Sequence, residues 1–121
     1  MAKTGVTGLT RIINAAGYSM QGLKAAIQHE AAFRQELALL VMLTPAALYF
    51  ADSLAESAIL IASLVFVLVV EILNSAIEAV VDRFGDELHP LSGRAKDMGS
   101  AAVFLSFIVT GLVWLAVLMP A

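Results

Sequence analysis

The fold is decided by the stretch Val69-Val70-Glu71-Ile72-Leu73-Asn74-Ser75-Ala76-Ile77-Glu78-Ala79-Val80-Val81-Asp82-Arg83. The uncharged run 57–70 precedes it, so the stretch is typical of the inner half of a membrane-spanning helix. Its polar side chains recur at spacings of three, four and four residues, at Glu71, Asn74, Glu78 and Asp82. On a helix this spacing places all four on one face. Acids at membrane depth are costly and usually serve a pathway or a reaction, whereas interhelical hydrogen bonding is the structural alternative.

The composition is that of a membrane protein. Of the 121 residues, 60% are apolar and only 14% are charged, whereas a soluble domain has about 25% charged residues. The length predicts a single membrane domain, 1–121, with no room for a soluble catalytic domain. The absence of cysteine excludes disulfides and thiolate chemistry, and no basic tract indicates a nucleic-acid partner.

The hydrophobic pattern predicts an all-α membrane protein with one surface helix and three membrane spans. Residues 10–29 form an amphipathic pattern that is typical of a helix lying in the membrane interface. The predicted spans are 31–51, 57–82 and 98–119. The polar segment 83–97 contains turn signals and is predicted to be a loop.

The basic residues predict the orientation of the chain in the membrane. All seven lie before the first span or between the second and third spans, at Lys3, Arg11, Lys24, Arg34, Arg83, Arg94 and Lys96. By the positive-inside tendency, the N-terminus and the segment 83–97 are cytoplasmic, and the C-terminus lies on the opposite side.

This orientation brings acidic and basic side chains to one interface. Glu30 and Glu78 offer carboxylate oxygens, which Mg²⁺ accepts together with substrate phosphates, although Glu30 could also be a solvated acid at a helix junction. Lys96 could pair with phosphate oxygens, and the deeper Glu71 could accept a proton from a lipid hydroxyl. Neither a Walker A sequence nor the kinase glycine-rich loop is present, so the pattern alone leaves the phosphate donor open.

Longer motifs supply a family resemblance. The stretch 71–83, the run Leu91-Ser-Gly-Arg-Ala-Lys-Asp-Met-Gly-Ser-Ala-Ala102, the triplet 17–19 and the run 30–36 together resemble the small integral-membrane diacylglycerol kinases of Gram-negative bacteria. The resemblance covers nearly the whole chain. It implies a homotrimer of three-span subunits with N-terminal surface helices in the inner membrane, and hence a periplasmic C-terminus. The implied reaction is Mg²⁺-dependent transfer of the γ-phosphoryl group of ATP to diacylglycerol, giving phosphatidic acid.

The resemblance also implies roles for individual residues. Glu71 would be the general base with Asn74 beside it, and Glu30 and Glu78 would hold the metal. The nucleotide would be bound by Arg11, Tyr18, Glu30, Glu78, Glu87, Leu88, His89, Lys96 and Asp97. The lipid pocket would be lined by Arg11, Ser19, Gln35, Glu36, Glu71 and Ser100. Met20 and Ile27 stand where a known member has Trp, which leaves the acyl-chain preference open.

Three other functions fit part of this pattern. An undecaprenol kinase would perform the same chemistry on a polyprenyl alcohol, and acceptor length is not settled by the sequence. A small proton-coupled transporter also uses a membrane glutamate, but it would need four similar spans and a lone acid. A non-enzymatic assembly factor would not require Glu30, Glu78 and Lys96 at one membrane level.

Overall fold

The computed structural model describes residues 7–85 and 89–120 and consists of four helices, with no strand in those residues. They are α1 (Gly8–His29), α2 (Ala31–Phe50), α3 (Leu54–Asp82) and α4 (Pro90–Leu118). Helices α2, α3 and α4 have 20, 29 and 29 residues and are long and apolar enough to cross a membrane. The prediction of an all-helical membrane protein with three candidate spans is confirmed.

Two helices begin earlier than predicted, because their N-termini are capped by side chains. Ser53 Oγ accepts a hydrogen bond from the Glu56 N–H at 3.1 Å, so α3 starts at Leu54 and not at 57. His89 Nδ1 accepts from the Leu91 N–H at 3.0 Å, and Pro90 occupies the first turn of α4. The predicted loop 83–97 is therefore wrong over its second half, where residues 90–97 are helical.

The junction between α1 and α2 is closed by one arginine. Glu30 is the single residue between the two helices and adopts an extended conformation. The Arg34 guanidinium reaches back and donates to the Ile27 carbonyl at 2.8 Å. The last carbonyl groups of a helix have no intrahelical hydrogen-bond partners. This contact provides a partner for one of them and helps to set the angle between α1 and α2.

Helix α3 is the centre of the fold, since α2 and α4 both pack extensively against it. A buried cluster of Ala26, Phe33 and Leu68 joins α1, α2 and α3. Most other large apolar side chains are exposed on the single chain. Exposed apolar surface on this scale needs lipid or another protein surface to cover it.

Polar contacts set the register between α3 and the helices beside it. Thr110 Oγ1 donates to the Ser63 carbonyl at 2.9 Å, and the Trp114 indole Nε1 donates to Ser63 Oγ at 3.1 Å. Near the turn between α2 and α3, Ser57 Oγ donates to the Ala47 carbonyl at 3.1 Å. Inside a bilayer such bonds have no competition from bulk water, so they define one antiparallel alignment of α3 and α4.

We expect Trp114→Phe to lower the free energy of unfolding by about 0.5–1.5 kcal/mol, the usual range for a hydrogen bond between membrane helices. The substitution removes the indole donor together with one ring of the side chain, so the measured loss also includes some packing. Reversible unfolding in mixed micelles measures the change. Tyr49→Phe is the control, because Tyr49 is highly exposed and its hydroxyl has no hydrogen-bond partner in the described part of the chain. Equal stability of the two variants would contradict the role of the indole bond.

Candidate functional site

The polar face of α3 is formed as the residue spacing predicts. The Asn74 side-chain Nδ2 donates to Glu78 Oε1 at 3.1 Å, so these two side chains are direct neighbours one turn apart. Both residues are half-buried, while Asp82 at the end of the helix is exposed. The face therefore runs from a buried position within the bundle to a solvated end.

The buried end of this face contains two carboxyl groups from different helices. Glu71 on α3 is 5% exposed and Glu36 on α2 is 9% exposed. The two carboxyl groups are close enough to interact electrostatically. Glu36 Oε1 has no hydrogen-bond partner in the described part of the protein. Two neighbouring acids buried within a bundle are costly to place there and are typical of a functional position.

Glu36 also lines an apolar cavity of about 240 Å³ between α2, α3 and α4. Leu43, Phe107 and Thr110 are among the side chains around it. The cavity thus presents the Glu36 carboxyl group, a hydrogen-bond acceptor, among mostly apolar side chains. This arrangement suits a molecule with a polar group at the end of an apolar chain.

The solvated end of the face contains an ion pair between α3 and α4. Lys96 Nζ lies 3.0 Å from Asp82 Oδ1, and both side chains are exposed. Glu78 is close enough to attract the same ammonium group. Exposed ion pairs are weak, so Lys96 can exchange Asp82 for another anion at little cost.

Glu30 occupies a different side of α3. It lines a cavity of about 390 Å³ between α1 and α3, together with His29, Ser75 and Ala79. Glu78 is not among the residues of that cavity, and in residues 7–85 and 89–120 no group of three or more histidine and acidic side chains is close enough to hold a metal ion. The structure therefore places Asn74 beside Glu78 and Glu36 near Glu71, while Glu30 lines a cavity that does not include Glu78.

The remaining predicted site residues are exposed on the single chain. Arg11, Tyr18 and Ser19 lie on α1, where Ser19 Oγ donates to the Ala15 carbonyl at 2.9 Å. Gln35 is exposed on α2, and Asp97 and Ser100 are exposed on α4. Within one chain these residues do not lie together on the polar face of α3. Their exposed positions are compatible with a site that a second chain completes.

An apolar groove of about 600 Å³ separates α1 from α2 and α3. Its walls include Met20, Ile27, Phe33 and Val69, and Lys24 lies at its edge. Met20 and Ile27, the two departures from the family pattern, therefore help to shape this groove.

The segment before α4 is only partly described. His89 caps α4 and lines a shallow pocket with Phe84 and Ser92. The predicted nucleotide residues Glu87 and Leu88 lie outside the described residues.

Two residues of the site were missing from the sequence-based prediction. Asp82 belongs to the polar face but was assigned no role, although it is the partner of Lys96. Gly99 was also assigned no role, and the structure shows that it is buried against the Asn74 side chain. No signal in a single sequence specifies either contact, because each depends on the register of α4 against α3.

Comparison with known proteins gives a consistent result. Residues 17–118 match the family described as prokaryotic diacylglycerol kinase. The chain is 58% identical over 109 residues to the diacylglycerol kinase of Escherichia coli K12, covering 89% of this chain and 88% of that protein. It is 52% identical over 115 residues to the diacylglycerol kinase of Pseudomonas aeruginosa, covering 95% and 94%. The Haemophilus influenzae diacylglycerol kinase is 49% identical over 108 residues, covering 89% and 92%.

Proposed function

The chain belongs to the prokaryotic diacylglycerol kinase family and is a membrane enzyme that phosphorylates a lipid, and from this we propose that it transfers the γ-phosphoryl group of ATP to diacylglycerol. The product would be phosphatidic acid. Membership of the family implies the inner membrane, and the basic residues favour a cytoplasmic N-terminus and segment before α4, with the C-terminus periplasmic. We place residues 8–29 at the membrane surface.

The observation that carries this proposal is a buried acid, Glu71, on the same helix face as the Asn74–Glu78 pair. Glu71 lies seven residues from Glu78, roughly 10 Å along the helix axis. A hydroxyl of a lipid between the helices would reach Glu71, while a phosphate at the interface would meet Glu78 and Lys96. The Glu71 end of the face would therefore bind the phosphoryl acceptor, and the Glu78 end would bind the phosphoryl donor.

In the proposed step the lipid hydroxyl oxygen attacks the γ-phosphorus of ATP in line with the bridging oxygen. A new phosphorus–oxygen bond forms, the bond to the bridging oxygen breaks, and ADP leaves with the electron pair. The hydroxyl proton passes to the Glu71 carboxylate, with Glu36 as its neighbour in the buried pair. Asn74 orients the acceptor side of the site and does not itself take the proton.

Mg²⁺ fits the oxygen ligands that this chain offers. It binds one or two protein carboxylates and completes its shell with water and phosphate oxygens, so a cluster of three acids is not required. We assign the carboxylates of Glu30 and Glu78 to this ion. When bound, Mg²⁺ neutralises charge on the transferred phosphoryl group. Lys96 would release Asp82 and pair with a phosphate oxygen, as its exposed position allows.

The other binding roles follow from the family and from the exposed positions. The nucleotide site would include Arg11 and Tyr18 of α1, the run 87–89, Asp97, and the acids Glu30 and Glu78. The lipid site would include Arg11, Ser19, Gln35, Glu36, Glu71 and Ser100.

A homotrimer would complete this site from neighbouring chains. In the single chain α1 packs more against α2 than against α3, and the cavity lined by Glu30 does not include Glu78. Apolar side chains such as Phe66, Val69 and Leu73 are exposed on α3 itself, which leaves surface on this helix for a neighbouring chain.

The direct test is ATP consumption by the purified protein in detergent micelles. We expect phosphate incorporation with diacylglycerol and much less with undecaprenol at equal mole fraction. Preference for undecaprenol would make the protein a polyprenol kinase on the same site. Absence of phosphorylation, together with proton movement in sealed vesicles, would favour the transporter alternative.

We expect Glu71→Gln to fold, to bind Mg-ATP and to lose turnover by at least about a hundredfold, the lower part of the range for general acid–base catalysis. The substitution keeps the size of the side chain and removes its basicity. Asn74→Ala should lose less, because Asn74 accepts no proton. Initial rates at saturating lipid and ATP measure both effects. Turnover of folded Glu71→Gln within tenfold of wild type would show that Glu71 is not the base.

Glu30→Gln and Glu78→Gln should each weaken the Mg²⁺ dependence of the reaction, because each removes one anionic oxygen ligand. Activity is measured against total Mg²⁺ at saturating diacylglycerol. Glu56→Gln is the control, because Glu56 lies at the opposite end of α3. Normal rate and normal Mg²⁺ dependence in both variants would make the metal assignment wrong.

Lys96→Ala should raise the KM for ATP, lower turnover, or both, because it removes a cation directed at phosphate. The dependence on lipid concentration should change less. Asp82→Asn serves as the matched variant, since it breaks the same ion pair and leaves the ammonium group available. A Lys96→Ala enzyme altered only in its lipid dependence would remove Lys96 from the nucleotide site.

A further inference from the structure

Helix α4 crosses the polar face of α3 at a glycine. Gly99 is buried, and a Cβ atom built on it would overlap the Asn74 Oδ1 atom. The same construction at Gly93 and Gly111, also on α4, meets nothing within 4 Å. Of these three α4 positions, Gly99 is the one where a side chain would meet α3.

The Asn74 amide can take only one orientation at this crossing. Its Nδ2 donates to Glu78 Oε1 at 3.1 Å. A carboxylate accepts hydrogen bonds and does not donate them, so the nitrogen must face Glu78. The oxygen then points at Gly99, and it is buried with no hydrogen-bond partner in the described part of the chain. The Asn74 amide is therefore held between the Glu78 carboxylate on one side and the Gly99 backbone on the other.

An added methyl group at residue 99 would remove the space that this orientation needs. Rotating the amide away from a Cβ atom moves Nδ2 away from Glu78, because both atoms belong to one planar group. Moving α4 outward instead would disturb the contacts of Lys96 one turn earlier on the same helix. The first adjustment removes the hydrogen bond to Glu78 and the second disturbs the Lys96–Asp82 pair, and both groups lie at the phosphate end of the site.

We propose that Gly99 is a positioning residue for phosphoryl transfer, which fixes the Asn74 amide and through it the Glu78 carboxylate. This inference rests on the proposed function, since it assigns Glu78 to the nucleotide-bound metal. Gly99 touches neither substrate nor metal in this account. Its contribution is the absence of a side chain at the point where α4 meets the amide.

The first measurement compares Gly99→Ala with Gly93→Ala. We expect Gly99→Ala to lower turnover about ten- to a hundredfold, because displacements near 1 Å in a catalytic arrangement can cost this much. It should also raise the Mg²⁺ concentration needed for half-maximal rate, with the KM for diacylglycerol changed by less than about twofold. Gly93→Ala should stay close to wild type in all three quantities. Normal turnover and Mg²⁺ dependence in Gly99→Ala would overturn the proposal.

The second measurement places the same substitution in an Asn74→Ala background, where the obstructing amide is absent. We expect Asn74→Ala/Gly99→Ala to match Asn74→Ala within about twofold in kcat/KM, since coupled neighbours are strongly non-additive. The thermal midpoint should fall in Gly99→Ala and recover in the double variant. If the losses of the two single variants simply add in the double variant, in both kcat/KM and thermal midpoint, the proposal is overturned. Additive losses would show a general packing defect.

The stability measurements do not depend on catalysis, which separates this inference from the proposed function. A wild-type protein without diacylglycerol kinase activity would contradict the proposed function, whereas the midpoints alone would still decide whether residues 74 and 99 are coupled. Uncoupled midpoints in an active enzyme would contradict only the role of Gly99.

Discussion

The contact of the Glu36 and Glu71 carboxyl groups within the bundle is the interaction on which the rest of the structure depends. Neither group can face hydrocarbon without a large cost in solvation free energy, and both are buried in the described structure. Helices α2 and α3 must therefore meet at this depth. The Ser57 hydrogen bond to the Ala47 carbonyl joins the two helices again near their connecting turn.

Helix α4 shields the next part of the same face and sets its lateral position. Trp114 and Thr110 fix α4 against the outer half of α3, and Gly99 meets Asn74 toward the inner half. The buried acids and the helices that cover them thus form one packed unit. The unit holds a proton acceptor deep in the bundle and anionic and cationic groups near its charged end, at a separation set by helix geometry and not by a flexible loop.

The sequence predicts the number and type of helices well, because apolar runs and the spacing of Glu71, Asn74 and Glu78 are local properties of one segment. It also identifies the acidic face, since three- and four-residue intervals translate directly into helix geometry. The pairing of Glu36 with Glu71 and of Gly99 with Asn74 depends on how two helices are aligned, and no local pattern contains that alignment. The start of α4 was predicted too late because Ser92-Gly93 and the nearby charges resemble a loop, whereas the His89 cap and Pro90 begin a helix there.

The length of α4 has a physical consequence for the surroundings of the protein. Its 29 residues extend about 43 Å, whereas the hydrocarbon core of a bilayer is about 30 Å thick. Lys96 and Asp97 thus lie on the part of α4 that continues from the lipid into the headgroup layer. A long helix such as α4 adapts to a thinner bilayer by tilting. Tilting displaces the charged end of α4 sideways relative to the buried acids of α2 and α3. Membrane thickness should therefore act as a mechanical input that sets where Lys96 lies relative to the polar face of α3.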